Sequence, residues 1–246
     1  MKEKMIIGHL TDLHLNGSGS RHQKLATALE KAKQLKVNHL VLTGDLSANG
    51  KAEHFAELGW ALRDWKDSSV TIVPGNHDGG RAFDQALEGP SLGRFRKTSK
   101  EPVDLGSLKI FPVDTRFHAR ALVFRALGRI GETNLPIPEI ISSATEKTTI
   151  VACHHGPQSH PLGFFDGLVG RDKLNALLGR LTNLRVLCGH DHRVLDLGRI
   201  HVAASVAHHG DPLRLYEVGA RSFRPTYQSS VEGNYFSLGA IHIPRD

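Results

Sequence analysis

VTIVPGNHDGG, residues 70–80, is an apolar run of β-branched residues that stops at Pro74-Gly75 and is followed at once by an amide, an imidazole and a carboxylate, Asn76, His77 and Asp78. Its first residues have the length and branching of a strand buried on both faces. Gly75 suits a place where the backbone turns sharply or approaches another segment closely. Any two of the three polar residues would close a turn, so their concentration at a strand end points to chemistry. In open α/β sheets ligands bind at the carboxyl ends of strands, where loops converge on one crevice.

The same arrangement recurs outward from this stretch. Strand-length apolar runs occupy 5–10, 39–44, 108–113, 148–153, 184–189, 200–205 and 213–218. Helical periods lie between several of them: Leu25, Leu29, Ala32 and Leu35 share one face of 22–36, Phe55, Leu58, Leu62 and Trp65 one face of 51–66, and Leu174, Leu177, Leu178 and Leu181 one face of 171–182. Strands alternating with such helices predict βαβ units. After His192 the runs succeed one another with turn residues between them, which predicts a mixed or partly antiparallel sheet. Residues 79–107 read as mobile surface loops around a short helix.

Metal-binding residue types gather directly after the runs. Asp12 and His14 follow the first, Asp45 the second, Asn76 and His77 the third, His154 the run TTIVAC, and His190 and His192 the run LRVLC. Taken singly, an Asp-x-His or a Gly-Asp is a common turn or helix cap. Five such elements, each on its own strand end, are not explained that way.

The ordered set DLH, GD, GNHD, HHGP and GHDH, residues 12–192, resembles the signature of the calcineurin-like metallophosphoesterases, and the chain is similar to small bacterial members of the cyclic-nucleotide phosphodiesterase type. GRIGETNL (128–135) is similar to a G-x-L-G-x-x-Q-L element of that family, with Asn134 where Gln is usual. The resemblance implies an α/β fold, a four-layer αββα sandwich of two mixed β-sheets flanked by helices. It implies two divalent ions bridged by Asp45, one held by Asp12, His14 and His192 and the other by Asn76, His154 and His190.

Such a site would neutralise an anionic phosphoester and generate a metal-bridging hydroxide near neutral pH. Asp45 can hold both ions because a carboxylate has two oxygens. His77 is expected to protonate the departing alkoxide, with Asp78 orienting His77 or its loop; the competing reading of His77 is a turn histidine bonded to backbone. A nitrogen-and-oxygen ligand set without thiolate suits Mn2+, Fe2+/Fe3+ or Zn2+. Cys153 and Cys188 adjoin ligand turns but should point away from them. His155 could line the substrate pocket, and His208 and His209 could approach from a late turn or face solvent.

Composition limits the rest. The 246 residues are read as one domain, 1–246, and no apolar stretch approaches a membrane span or a secretory leader, which predicts a cytoplasmic protein. Two cysteines exclude a disulfide framework, and a net charge of +6 favours an anionic partner. Residues 114–131, with Arg116, Arg120, Arg125 and Arg129 among apolar residues, read either as a basic rim or as a peripheral membrane contact, the latter suiting the alternative of a lipid-linked or pyrophosphate phosphoester hydrolase. With 6% aromatic residues and no nucleic-acid module, a nuclease ranks below a phosphodiesterase acting on a small diester such as a cyclic nucleotide. A non-catalytic scaffold disagrees with the presence of every expected ligand.

Overall fold

A computed structural model describes residues 4–117, 126–159 and 167–227. Its first half contains β1 (Met5–Leu10), α1 (Gly19–Gln34), β2 (His39–Thr43), α2 (Ala52–Ala61), β3 (Val70–Val73), α3 (Ala82–Glu88), α4 (Arg96–Lys100), β4 (Val103–Asp104) and β5 (Leu108–Pro112). The second half contains β6 (Gly128–Arg129), α5 (Ile137–Glu146), β7 (Thr148–Ala152), β8 (Leu168–Val169), α6 (Arg171–Arg180), β9 (Leu184–Cys188), β10 (Leu195–Leu197), β11 (Ile200–Val202), β12 (Arg214–Gly219) and β13 (Ser222–Tyr227).

Two large sheets form, ordered β13-β12-β1-β2-β3 and β10-β11-β9-β7-β5-β4. Both are mixed: β1, β2 and β3 run parallel with β12 antiparallel to β1, and β5, β7, β9 and β11 run parallel with antiparallel strands at both edges. The period-2 alternation of each strand assigns its side chains to layers. Ile7, Val41 and Val73 of the first sheet meet Ile110, Ile150 and Leu187 of the second in an inner core. On the other face of the first sheet, Leu10, Leu40 and Leu42 pack with Leu25 and Leu29 of α1, Phe55 and Leu58 of α2 and Phe83 of α3. Val151, Val186 and Cys188 face outward on the second sheet against Ile140 of α5 and Leu174 and Leu178 of α6. Each fully buried aliphatic side chain contributes about 1.5–3 kcal/mol, so the four layers are held by continuous burial on both faces of both sheets.

Two expectations change. Residues 79–107 are not loops around one short helix: they hold α3 and α4, and Phe83, Leu87, Leu92 and Phe95 are buried in the outer core of the first sheet. These helices are too short for a helical period to stand out from the surrounding Gly, Ser and Arg. The run 200–205 also yields only three strand residues. After Ala203, whose N–H still donates to Cys188 O at 3.1 Å, the chain crosses to the first sheet, where Ser205 makes an isolated parallel bridge to Thr11.

Candidate metal centre

The strand ends of the two sheets meet at one edge of the sandwich. The segment after β1 runs alongside the segment after β2, with Asp12 N–H donating to Gly44 O at 3.0 Å and His14 N–H to Asp45 O at 2.8 Å. On the second sheet, Gly189 N–H donates to His154 O at 3.0 Å and so couples the segments after β7 and β9. Among the described residues six non-glycine residues have positive φ, and five are Asp12 (52°), His14 (43°), Asp45 (48°), His190 (73°) and His192 (56°). Backbone of this kind costs about 1–3 kcal/mol per residue and persists where the surroundings impose it, most often at functional sites. Glycine spacing serves the same crowding: a Cβ on Gly75 would lie 2.2 Å from Asp45 Oδ1, and one on Gly189 1.8 Å from Thr11 Oγ1.

Donor atoms converge in two groups. In the first, His14 Nε2 is 3.2 Å from His192 Nε2 and 3.8 Å from Asp12 Oδ1, and His192 Nε2 is 3.1 Å from Asp12 Oδ1. Asp12 Oδ2 accepts from Thr11 Oγ1 at 2.7 Å and from His190 N–H at 3.0 Å, while Oδ1 is buried without a hydrogen bond among the described residues. One oxygen therefore anchors the carboxylate and the other is left for a ligand, the arrangement expected where an ion compensates a buried polar atom. In the second group, His154 Nε2 is 3.1 Å from Asn76 Oδ1 and 3.3 Å from His190 Nδ1. His154 donates Nδ1–H to Thr43 O at 2.8 Å, so that its ring, once neutral, carries the lone pair on Nε2. Two nitrogens each about 2.1 Å from a common ion lie about 3 Å apart, so both groups fit metal ligation.

Asp45 lies between them. Its Oδ2 is 3.7 Å from His14 Nε2 and 3.4 Å from His154 Nε2, whereas Oδ1 accepts the His77 N–H at 2.8 Å. Oδ2 is thus turned toward both donor groups, while Oδ1 is engaged by backbone. The His77 ring packs edge-on against His14 with centroids 4.8 Å apart, donates Nδ1–H to Ala48 O at 2.8 Å, and has Nε2 3.9 Å from Asp45 Oδ2. Asp78 bonds to backbone. Its buried carboxylate accepts N–H groups from Leu46, Ser47 and Gly75 at 3.0, 2.8 and 2.9 Å, fastening the turn after β3 to the turn after β2.

Protonation follows this crowding. Burial holds His14 down to about 4. Burial would also lower His154, but the adjacent Asp45 carboxylate outweighs it, with help from Asp12, and raises it to about 10. Asp45 lies well below the carboxylate range, since His154, His77 and His14 together overcome its burial. Burial and the charge of Asp45 push Asp78 up to about 7.

Neighbouring residues sort by their partners. The donor atoms of His155 lie near those of His154 and His190, yet both of its ring nitrogens are engaged, Nδ1 with Thr115 Oγ1 at 2.9 Å and Nε2 with Ala126 O at 3.0 Å. It braces Thr115 against Ala126 and is buried. Cys153 and Cys188 face the outer core, and burial pushes the Cys153 thiol up to about 12. Arg116 is turned inward, with its guanidinium 2.7 Å from Asp114 and 3.1 Å from Asp84 and donating to Asp78 O at 3.1 Å. Leu127 and Ile130 are buried; Arg120, Arg125 and the intervening apolar residues lie outside the described residues. The sequence does not distinguish Thr11, nor the inward turn of Arg116, because nothing local marks a Thr or an Arg whose partners come from distant segments.

A family model described as calcineurin-like phosphoesterase matches residues 5–194, the span that supplies every residue of both donor groups. The chain belongs to this family. As a calcineurin-like phosphoesterase it is a metal-dependent phosphoester hydrolase. The phosphoesterase is 23% identical over 208 residues to a "probable cyclic nucleotide phosphodiesterase" of Fibrobacter succinogenes, covering 80% of this chain and 77% of the relative. Its fold is similar to that of a dimetal phosphatase from Danio rerio, with a TM-score of 0.63, 11% identity and coverage of 90% of this chain and 98% of the other. A protein of Thermus thermophilus matches with a TM-score of 0.59, 12% identity and coverage of 91% and 99%. Among the described residues no helix of the phosphoesterase is long and apolar enough to cross a membrane.

Proposed function

We propose that this phosphoesterase hydrolyses a small phosphodiester of the cyclic-nucleotide class. In this reading Asp12, His14 and His192 hold one divalent ion, Asn76, His154 and His190 hold a second, Asp45 is shared, and His77 is the general acid. The observation that carries it is the convergence of the two donor groups on Asp45 Oδ2 beside a half-exposed His77 ring. Mn2+, Fe2+/Fe3+ and Zn2+ all suit the donor set. When bound, such ions supply Lewis-acid polarisation of phosphoryl oxygens and lower the pKa of water.

The chain's own residues do the rest. The Nδ1–H bond to Ala48 O sets the His77 ring, and Nε2 is then the nitrogen through which a proton reaches the departing alkoxide, a step worth about 10²–10⁴-fold. The Asp78 carboxylate keeps the turns bearing Asp45 and Asn76 at a fixed separation. An excess of 31 Lys+Arg over 25 Asp+Glu favours encounter with an anionic substrate.

Similarity to a probable cyclic nucleotide phosphodiesterase supports the diester reading. Burial of Leu127 and Ile130 weighs against an exposed apolar stripe for a lipid-linked substrate in the described part of 114–131. The test is turnover by the Mn2+-loaded protein of cyclic AMP, bis-p-nitrophenyl phosphate and p-nitrophenyl phosphate. Diesters are expected to turn over faster than the monoester, and a monoester preference would overturn the proposal.

A further inference from the structure

The late turn after β11 reaches the centre. Its backbone is stitched to the ligand segment of β1: Val206 N–H donates to Thr11 O at 3.0 Å, Ala207 N–H to Asp12 O at 3.2 Å, and Ser205 Oγ to Asp12 O at 2.9 Å. Helix α1 holds both partners from the side, through Lys24 Nζ donating to Ala207 O at 2.6 Å and Arg21 donating to His14 O. Adjacent histidines in this turn have different surroundings. His209 is buried and donates Nε2–H to His192 O at 2.7 Å, so it braces a ligand loop. His208 is exposed, stacks on the His192 ring at 5.0 Å and 24°, and lies 5.9 Å from the His14 ring.

Hydrogen-bond counting fixes what the His208 ring can offer. A hydroxyl has one proton, and Ser205 Oγ gives it to the Asp12 carbonyl, which can only accept. Toward His208 Nδ1, 2.9 Å away, Ser205 Oγ therefore accepts, so Nδ1 carries the hydrogen and the neutral ring has its lone pair on Nε2. A phosphoryl oxygen has no proton to donate to such a nitrogen. A hydroxyl group does.

We propose that His208 is a specificity-determining residue that touches the substrate, its Nε2 accepting a hydrogen bond from a hydroxyl on the carbon next to the scissile ester, so that the site prefers ribose-type over deoxyribose-type phosphoesters. The proposal rests on the phosphoesterase reading of the centre and goes beyond it by naming the group that is recognised. Because the ring is exposed, water replaces the lost partner in the deoxy substrate. The discrimination is then that of one ordinary hydrogen bond, about tenfold.

The test uses the full Mn2+-loaded chain and compares kcat/KM for 3′,5′-cyclic AMP with that for its 2′-deoxy analogue. Wild type is expected to favour the ribose form about tenfold. His208→Phe should bring the ratio near one, chiefly through KM, while His208→Gln, whose amide oxygen also accepts, should restore part of it. A wild-type ratio near one, or an unchanged ratio in His208→Phe, overturns the proposal. So does loss of an ion from both variants by metal analysis, which would make His208 a ligand. Failure of the wild type on bis-p-nitrophenyl phosphate would instead overturn the phosphodiesterase reading. Calorimetric affinities for 3′-AMP and 2′-deoxy-3′-AMP then judge His208 without turnover: tighter binding of the ribose form, lost in His208→Phe, supports it, and equal binding sinks it.

Discussion

Asp78 accepts the backbone N–H of Ser47 at 2.8 Å from the far side of two strand ends, and with Leu46 and Gly75 it completes a three-donor cage on one buried carboxylate. Asn at this position keeps one acceptor oxygen and turns an NH2 group toward backbone donors. Asp78→Asn should therefore lower stability by roughly 1–3 kcal/mol, the cost of a buried donor left unpaired. Chemical denaturation with and without Mn2+ measures it, and metal affinity should weaken as the Asp45 and Asn76 turns drift apart. A stability loss under about 0.5 kcal/mol would mean that the cage is dispensable.

His77→Ala is expected to retain both ions, because the ring belongs to neither donor group. Its kcat should fall about 10²–10⁴-fold on an alkyl diester such as cyclic AMP. On bis-p-nitrophenyl phosphate, whose leaving group needs no proton, the loss should be far smaller. Equal losses on the two substrates would remove the general-acid role.

Metal binding should depend on pH with a predictable sign. The proton on His154 is held to about pH 10 in the ion-free protein, above the ordinary imidazole value, so its contribution to stability is full below about 6.5 and is lost as pH rises through about 10. An ion needs the neutral ring and must expel that proton at any lower pH. Apparent affinity at the Asn76–His154–His190 group should then strengthen about tenfold per pH unit between about 6 and 9. Calorimetry in buffers of different ionisation enthalpy counts the released proton, and a pH-independent affinity would contradict the assignment.

Gly189→Ala places a methyl group where Thr11 Oγ1 and Asp12 Oδ2 already stand. Neither can retreat without giving up its bond, so the cost should reach roughly 1–3 kcal/mol or more. An ion bound at the Asp12, His14 and His192 group should be the first one lost. Metal analysis together with thermal unfolding tests this, and an unaltered ion count with unaltered Tm would argue against such tight packing.

Much of this centre is legible at the strand ends. Asp12, His14, Asp45, Asn76, His154, His190 and His192 each follow a largely buried, mostly apolar strand, and such runs are a strong local signal. The rest depends on distant contacts. Arg116 looks like a surface cation until Asp84 and the Asp78 carbonyl arrive from another part of the chain. The crossing from Ala203 to Ser205 is hidden because an apolar run does not record which sheet its far end joins. The engagement of Asp45 Oδ1 by the His77 backbone N–H is equally invisible, since it forms only on folding.

The donors come from both halves of the sandwich: Asp12, His14, Asp45 and Asn76 ride on the first sheet, His154, His190 and His192 on the second. Any sliding of one sheet over the other, from a core substitution far below, would pull the two ligand sets out of alignment. Bound ions would act as a rivet against that shear, tying catalytic competence to the mechanical rigidity of Ile7, Ile150 and Leu187 buried between the layers.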